Sequence, residues 1–81
     1  MVGLVHELSL VGVRGRLADL LVELAGDRTV VELPWTNQEI AARIGTVREI
    51  VSRTFSRMAQ EGAIRIEGRS VHLVDRGRLG S

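Results

Sequence analysis

Four residues near the middle of the chain carry the groups most able to do chemistry: Arg48, Glu49, Ser52 and Arg53. On a helical wheel at about 100° per residue they gather with Ser56 on one flank. Val47, Ile50, Val51, Thr54, Phe55 and Met58 gather on the other. An arginine fork can donate two hydrogen bonds to O6 and N7 of guanine, and a carboxylate can accept one from the N4 amine of cytosine. Glu49 and Arg53 stand at i, i+4, so they can also hold each other by a charge-assisted bond. Spacing alone leaves three roles open for Glu49. It can read a base, form half of a solvated ion pair worth roughly 0.2–0.5 kcal/mol, or join Thr46 in a Thr46-x-x-Glu49 capping box. If Val47 is the cap instead, Glu49 is free.

A second set suits the rim of the same surface. Helix N-termini present free N–H groups to anions. Thr36, Asn37 and Gln38 begin one such end, and Thr46 begins the other. Arg57 and Arg69 add charge. For each of these singly, an ordinary exposed polar residue is the competing account. No pattern of nucleophile and base, paired carboxylates or Gly-rich phosphate loop stands out, which argues against an enzyme. His6 and His72 lie far apart with no helical pairing, so a metal site is not expected.

These groups need a scaffold, and the chain spells one out. Residues 1–11 are apolar with sparse charge and too short for a stable isolated helix. Leu4, Leu8 and Val11 share a helical face, which fits the end of a longer helix or a frayed terminus equally well. Gly12 permits a hinge. Residues 13–25 form a helix with Val13, Leu17, Leu20, Leu21 and Leu24 as its buried stripe. Gly15 inside it suggests close approach of another element.

Residues 29–33 (TVVEL) read as a short strand ended by Pro34. Thr36 then opens a helix with Glu39 three residues on, a capping box, and Trp35 and Ile40 flank it as a hydrophobic staple. Ile40, Ala41 and Ile44 make the inner face, and Gly45 makes the turn. The next helix runs over 47–61 and stops at Gly62. Residues 63–75 alternate as a hairpin about Glu67-Gly68-Arg69, with Ile64, Ile66, Val71 and Leu73 on one face. His72 points outward. Residues 76–81 (RGRLGS) are a tail. The expected fold is mainly α with a small β-hairpin (α+β), a winged helix-turn-helix over 13–75, preceded by 1–12 as helix end and hinge.

Composition narrows the function further. At 81 residues the chain suits one domain of modest stability. Net charge is only +1, but it is uneven: residues 1–35 hold three Arg against five acids, and residues 62–81 hold four Arg against two. Every basic residue other than histidine is Arg. Trp35 and Phe55 are the only aromatics, which disfavours single-strand binding by base stacking. The absence of cysteine excludes disulfides and thiolate metal sites and fits a cytoplasmic setting. No membrane-length apolar run is present.

The segment TNQEIAARIGTVREIVSRTFSRMAQEGAI resembles the helix-turn-helix of the Crp/Fnr family of bacterial transcription regulators. The matching features are Q-E-I-A, the turn at Gly45, R-E-x-V-S-R and E-G-x-I. The likeness extends over residues 8–75, with LVGVRGRLADLLVELA as the first helix and IRIEGRSVHLVD as the wing. It implies base contacts from Arg48, Glu49 and Arg53 with Ser52 close by, and phosphate contacts near Thr36, Gln38 and the wing. Departures from the family pattern fall at Val47, where Ser or Thr is usual, at Ile50, where Thr is frequent, and at Asn37, where a basic residue is common. Thr46 is expected to take over the cap and the phosphate contact that Val47 cannot make.

The resemblance also implies double-stranded DNA as partner, RNA polymerase as a further one, and a homodimer in a full-length protein with a monomeric isolated domain. No cofactor is expected within these residues, because the family's β-roll effector domain and long dimerisation helix have no room here. A winged helix used only to dock proteins is the alternative. RNA is disfavoured, because a helix of this kind cannot read the deep, narrow groove of A-form RNA.

Overall fold

The structure, a computed structural model, describes the backbone of residues 2–79 and the side chains of residues 12–79. Helix α1 (Val2–Ala25) leads to β1 (Val30–Glu32), then α2 (Asn37–Ile44), α3 (Arg48–Gln60), β2 (Ile64–Glu67), β3 (Ser70–Leu73) and α4 (Arg76–Leu79). The winged helix-turn-helix expected from the sequence is present.

Helix α1 buries Val13, Leu17, Ala18, Leu21 and Ala25. Leu20 and Leu24, expected in that stripe, lie half-buried at its margin. The helix runs through Gly12 without the anticipated hinge. One glycine costs a helix only about 1 kcal/mol, which the burial from Val13 to Ala25 outweighs. Nor does Gly15 admit a close neighbour: a Cβ built there meets nothing within 4 Å. The shared face of Leu4, Leu8 and Val11 lies outside the described side chains.

Helix α2 starts as the sequence demands. The Thr36 Oγ1 accepts from the Glu39 amide at 3.2 Å, and Glu39 Oε1 accepts from the Thr36 amide at 3.0 Å. Ile40, Ala41 and Ile44 are buried. The helix ends at Gly45, whose φ of 79° lies in the left-handed region, and the following Thr46 amide donates back to the Ala41 carbonyl at 2.9 Å. That reversal carries the chain into α3, which buries Val51, Phe55 and Met58 against α1 and α2.

The wing is broader than a hairpin. Strand β1 pairs with β3 on the side away from β2, giving an antiparallel sheet in the order β1-β3-β2. Val31, Ile64, Val71 and Leu73 face the helices and are buried. Ile66 pairs with Val71 on the same inner face, yet it is 43% exposed. Ile66 lines an open cleft that it shares with Ser52, Phe55 and Ser56 of α3. His72 lies on the outer face, opposite Arg65 and Val30 in register. The β2–β3 loop has positive φ at Gly68 and at no non-glycine residue among those described, the pattern of a II′ turn.

Residues 76–79 of the expected tail belong to the folded unit; residues 80–81 lie outside the described residues. They form α4, and Leu79 is 1% exposed beside α1. A single leucine among Gly and Arg gives no periodic signal, so the sequence hides this anchor.

Two glycine substitutions check this account by urea unfolding. Gly45→Ala is expected to lower stability by about 1–2 kcal/mol, the cost of a left-handed residue with a Cβ. Gly15→Ala is expected to raise it by about 1 kcal/mol, because the space is open and the φ is helical.

Candidate nucleic-acid interface

The exposed flank of α3 assembles as the spacing predicts. Arg48, Glu49, Ser52, Arg53 and Ser56 are all exposed. Glu49 Oε1 accepts from Arg53 Nη2 at 3.3 Å, with both side chains about three-quarters exposed (75% and 74%). An exposed i, i+4 pair contributes about 0.3–0.5 kcal/mol, so it orients the two groups more than it stabilises the fold.

The start of α3 settles one open role of Glu49. Val47 is the N-cap residue, with φ −114° and ψ 156°, and no side chain caps the helix. The Thr46-x-x-Glu49 box does not form, and Thr46 does not replace the missing cap. Thr46 is drawn instead into the turn, where its amide is held by Ala41. Glu49 therefore stands free of its own helix end, on Arg53. The uncapped first turn leaves N–H groups toward solvent at the end that presents Arg48 and Glu49. Val47 itself is 61% exposed.

The rim residues divide. Thr36, Gln38, Arg57 and Arg69 are exposed, and Asn37 and Thr46 are half-buried. The Thr36 hydroxyl accepts from Glu39 but keeps its own proton to donate. Asn37 lines the cleft between α3 and the wing together with Ser52, Phe55, Ser56, Ile66 and Gly68. At the wing tip, the Arg69 carbonyl accepts from the Leu33 amide at 2.9 Å, tying the tip to the segment after β1. The Arg69 charge reaches the start of α2, where it helps to lower the Glu39 pKa. The α2 N-terminus, the middle of α3 and the wing thus border one another. Arg57 lies in the last turn of α3, near enough to Glu61 to act on its charge.

The sequence missed what the other arginines do. Arg16 Nη1 donates to the Ile44 carbonyl at 3.0 Å, closing the end of α2. Arg76 Nη2 donates to the carbonyls of Gly26 and Arg28 just after α1. Arg43 lies over the Trp35 ring, 3.9 Å from its centroid, and Trp35 is half-buried against the core. Arg14 binds both carboxylate oxygens of Glu61, at 2.7 and 3.2 Å, and the carbonyls of Arg78 and Leu79. No spacing rule marks an arginine for a carbonyl distant in sequence.

With the fold and the exposed α3 face established, comparison with known proteins is direct: the Crp-like helix-turn-helix domain model matches residues 15–81, and the chain belongs to that family. FixK, the nitrogen fixation regulation protein of Bradyrhizobium diazoefficiens, is 39% identical over 59 residues, covering 73% of this chain and 25% of that protein. The CRP-like cAMP-activated global transcriptional regulator of Mycobacterium tuberculosis is 38% identical over 74 residues, covering 83% of this chain and 33% of that protein. Among solved structures, DNR from Pseudomonas aeruginosa superposes with a TM-score of 0.82 at 30% identity, over 96% of this chain and 36% of that one. The chain thus spans a quarter to about a third of the length of these relatives. Among the described residues no helix is long and apolar enough to cross a membrane.

Two exposed carboxylates give the domain an acid limit. The backbone and side-chain hydrogen bonds from Thr36 hold Glu39 below the ordinary carboxylate value, and the hydrogen bonds from Arg14 do the same for Glu61. A group whose pKa is depressed on folding adds stability above its unfolded pKa and loses it as pH falls through the folded one. Urea midpoints measured from about pH 7 down to about pH 3 are therefore expected to fall. The fall should be shallower in Glu39→Gln and Glu61→Gln, which start less stable and converge on the parent chain in acid.

Proposed function

We propose that this domain binds double-stranded DNA sequence-specifically and regulates transcription, with α3 lying in the major groove. The observation that carries this is the bare polar face of α3, where Glu49 is free of its helix end and oriented by Arg53. In this arrangement Arg48 and Arg53 donate to guanine edges, Glu49 accepts from a cytosine amine, and Ser52 sits between them. Thr36, Asn37, Gln38, Thr46, Arg57 and Arg69 would fix the register by contacting phosphates. The Asn37 side chain works from inside the cleft, and Thr46 offers its hydroxyl, since its amide is taken. FixK and the mycobacterial regulator are named as regulators, which supports the same role here.

In a full-length protein we expect a twofold homodimer on a palindromic site, with half-sites about one helical turn apart, and RNA polymerase as a further partner, in the cytoplasm. The isolated domain is expected to be monomeric and to bind weakly, because one half-site gives few phosphate contacts and no avidity. We assign it no enzymatic activity. A module that only docks proteins is the competing account, and salt separates the two: DNA affinity falls steeply as salt rises.

Selection from random duplexes tests the reading residues. Arg53→Ala is expected to lose preference at one guanine, costing about 1–3 kcal/mol there. Glu49→Ala is expected to relax preference at a neighbouring C·G pair. An unchanged consensus in both variants would remove the Glu49–Arg53 pair from base recognition.

A further inference from the structure

The end of α3 opposite the reading residues is held by a cluster that base recognition does not use. Glu61 is the C-cap residue of α3. The Arg14 side chain, only 13% exposed, reaches it from α1 with two hydrogen bonds, through Nη2 at 2.7 Å and Nη1 at 3.2 Å. The same guanidinium donates through Nε to the Leu79 carbonyl at 3.2 Å and through Nη2 to the Arg78 carbonyl at 2.9 Å. Arg78 closes the ring: its Nη1 donates to the Glu61 carbonyl at 2.9 Å, and its Nε pairs with Asp75 at 3.3 Å. One half-buried fork therefore joins α1, the end of α3 and α4.

We infer that Arg14 and Glu61 are positioning residues for DNA recognition, setting the tilt and rotation of α3 relative to α1. This rests on the DNA-reading function proposed above. The burial of Val51, Phe55 and Met58 keeps α3 on the core, but apolar contact is non-directional. A two-pronged guanidinium–carboxylate contact fixes an angle. The angle matters because Arg48 lies at the far end of a helix about 20 Å long. A tilt of about 10° about the Glu61 end would carry Arg48 about 3 Å sideways along that length. Hydrogen bonds to base edges tolerate about 0.5 Å, so looseness at the clasp is lost recognition at the groove. The clasp also gives α4 a purpose, since Leu79 is buried beside α1 where its carbonyl meets Arg14.

The test uses the 81-residue chain, a duplex it selects from a random pool, and a scrambled duplex of the same composition. Binding to both is measured with Arg14→Gln and Glu61→Gln, beside unfolding curves that fix the folded fraction. These variants change the net charge in opposite directions, so a shared effect is not electrostatic. Each is expected to reduce the selected-over-scrambled affinity ratio about tenfold, the size of a charge-assisted hydrogen bond, with scrambled binding little changed. A folded variant that keeps the parent ratio overturns the inference and leaves a purely structural clasp. Should Arg14→Gln fail to fold, Glu61→Gln carries the decision alone, its side chain being 40% exposed. If the parent chain itself shows no preference between duplexes, the DNA-reading function fails first and this inference falls with it.

Discussion

Burial of one side of α3 is the constraint on which the rest of the domain depends. Val51 and Met58 are fully buried and Phe55 nearly so. Each such side chain contributes about 1.5–3 kcal/mol on leaving water, enough to fix which side of the helix faces in. At helical spacing, that choice also fixes which side faces out. Arg48, Glu49, Ser52 and Arg53 gain their exposure from the hydrophobic residues beneath them. The core they rest on is purely apolar among the described residues, and no buried side-chain polar atom there lacks a partner. No charge is spent inside it.

The arginines divide the labour around that core. Arg14, Arg16, Arg76 and Arg78 donate to backbone carbonyls at the ends of α2 and α3, just after α1, and within α4. Arg43 covers Trp35. Among the described residues, Arg48, Arg57 and Arg69 make no side-chain hydrogen bond or ion pair, and Arg53 meets only Glu49. A net charge of +1 thus understates what one face can offer an anion. The guanidinium forks that close helix ends elsewhere are left open on α3 and at the wing tip. A fork held by a carbonyl is committed to the fold, and an open one keeps its donors free.

Local rules carried much of this into the sequence. The Thr36–Glu39 box, the Gly45 turn and the face of α3 are each written within four residues, so spacing suffices to find them. Long-range choices were hidden. Nothing near residues 29–33 says that they join the wing as a third strand, because strand pairing is decided by where the chain returns. Gly12 looks like a hinge until the burial of α1 is counted. Ile66 alternates correctly, yet it borders the open cleft beside α3 and stays exposed. Thr46 matched a capping pattern that the tight turn at Gly45 preempts. Leu79 sits in a stretch whose composition reads as a tail. The Arg14 clasp spans 47 residues to Glu61, a separation that no periodicity reports.

The central claim is that duplex DNA meets this domain on the outward face of α3. Amide chemical shifts of the labelled chain, followed as a selected duplex is added, test it most directly. The account predicts the largest changes at residues 48–53, with smaller ones at 36–38 and around Arg69, all weakening as salt is raised. Changes centred on the outer sheet face at Val30, His72 and Val74, with α3 unmoved, would contradict it.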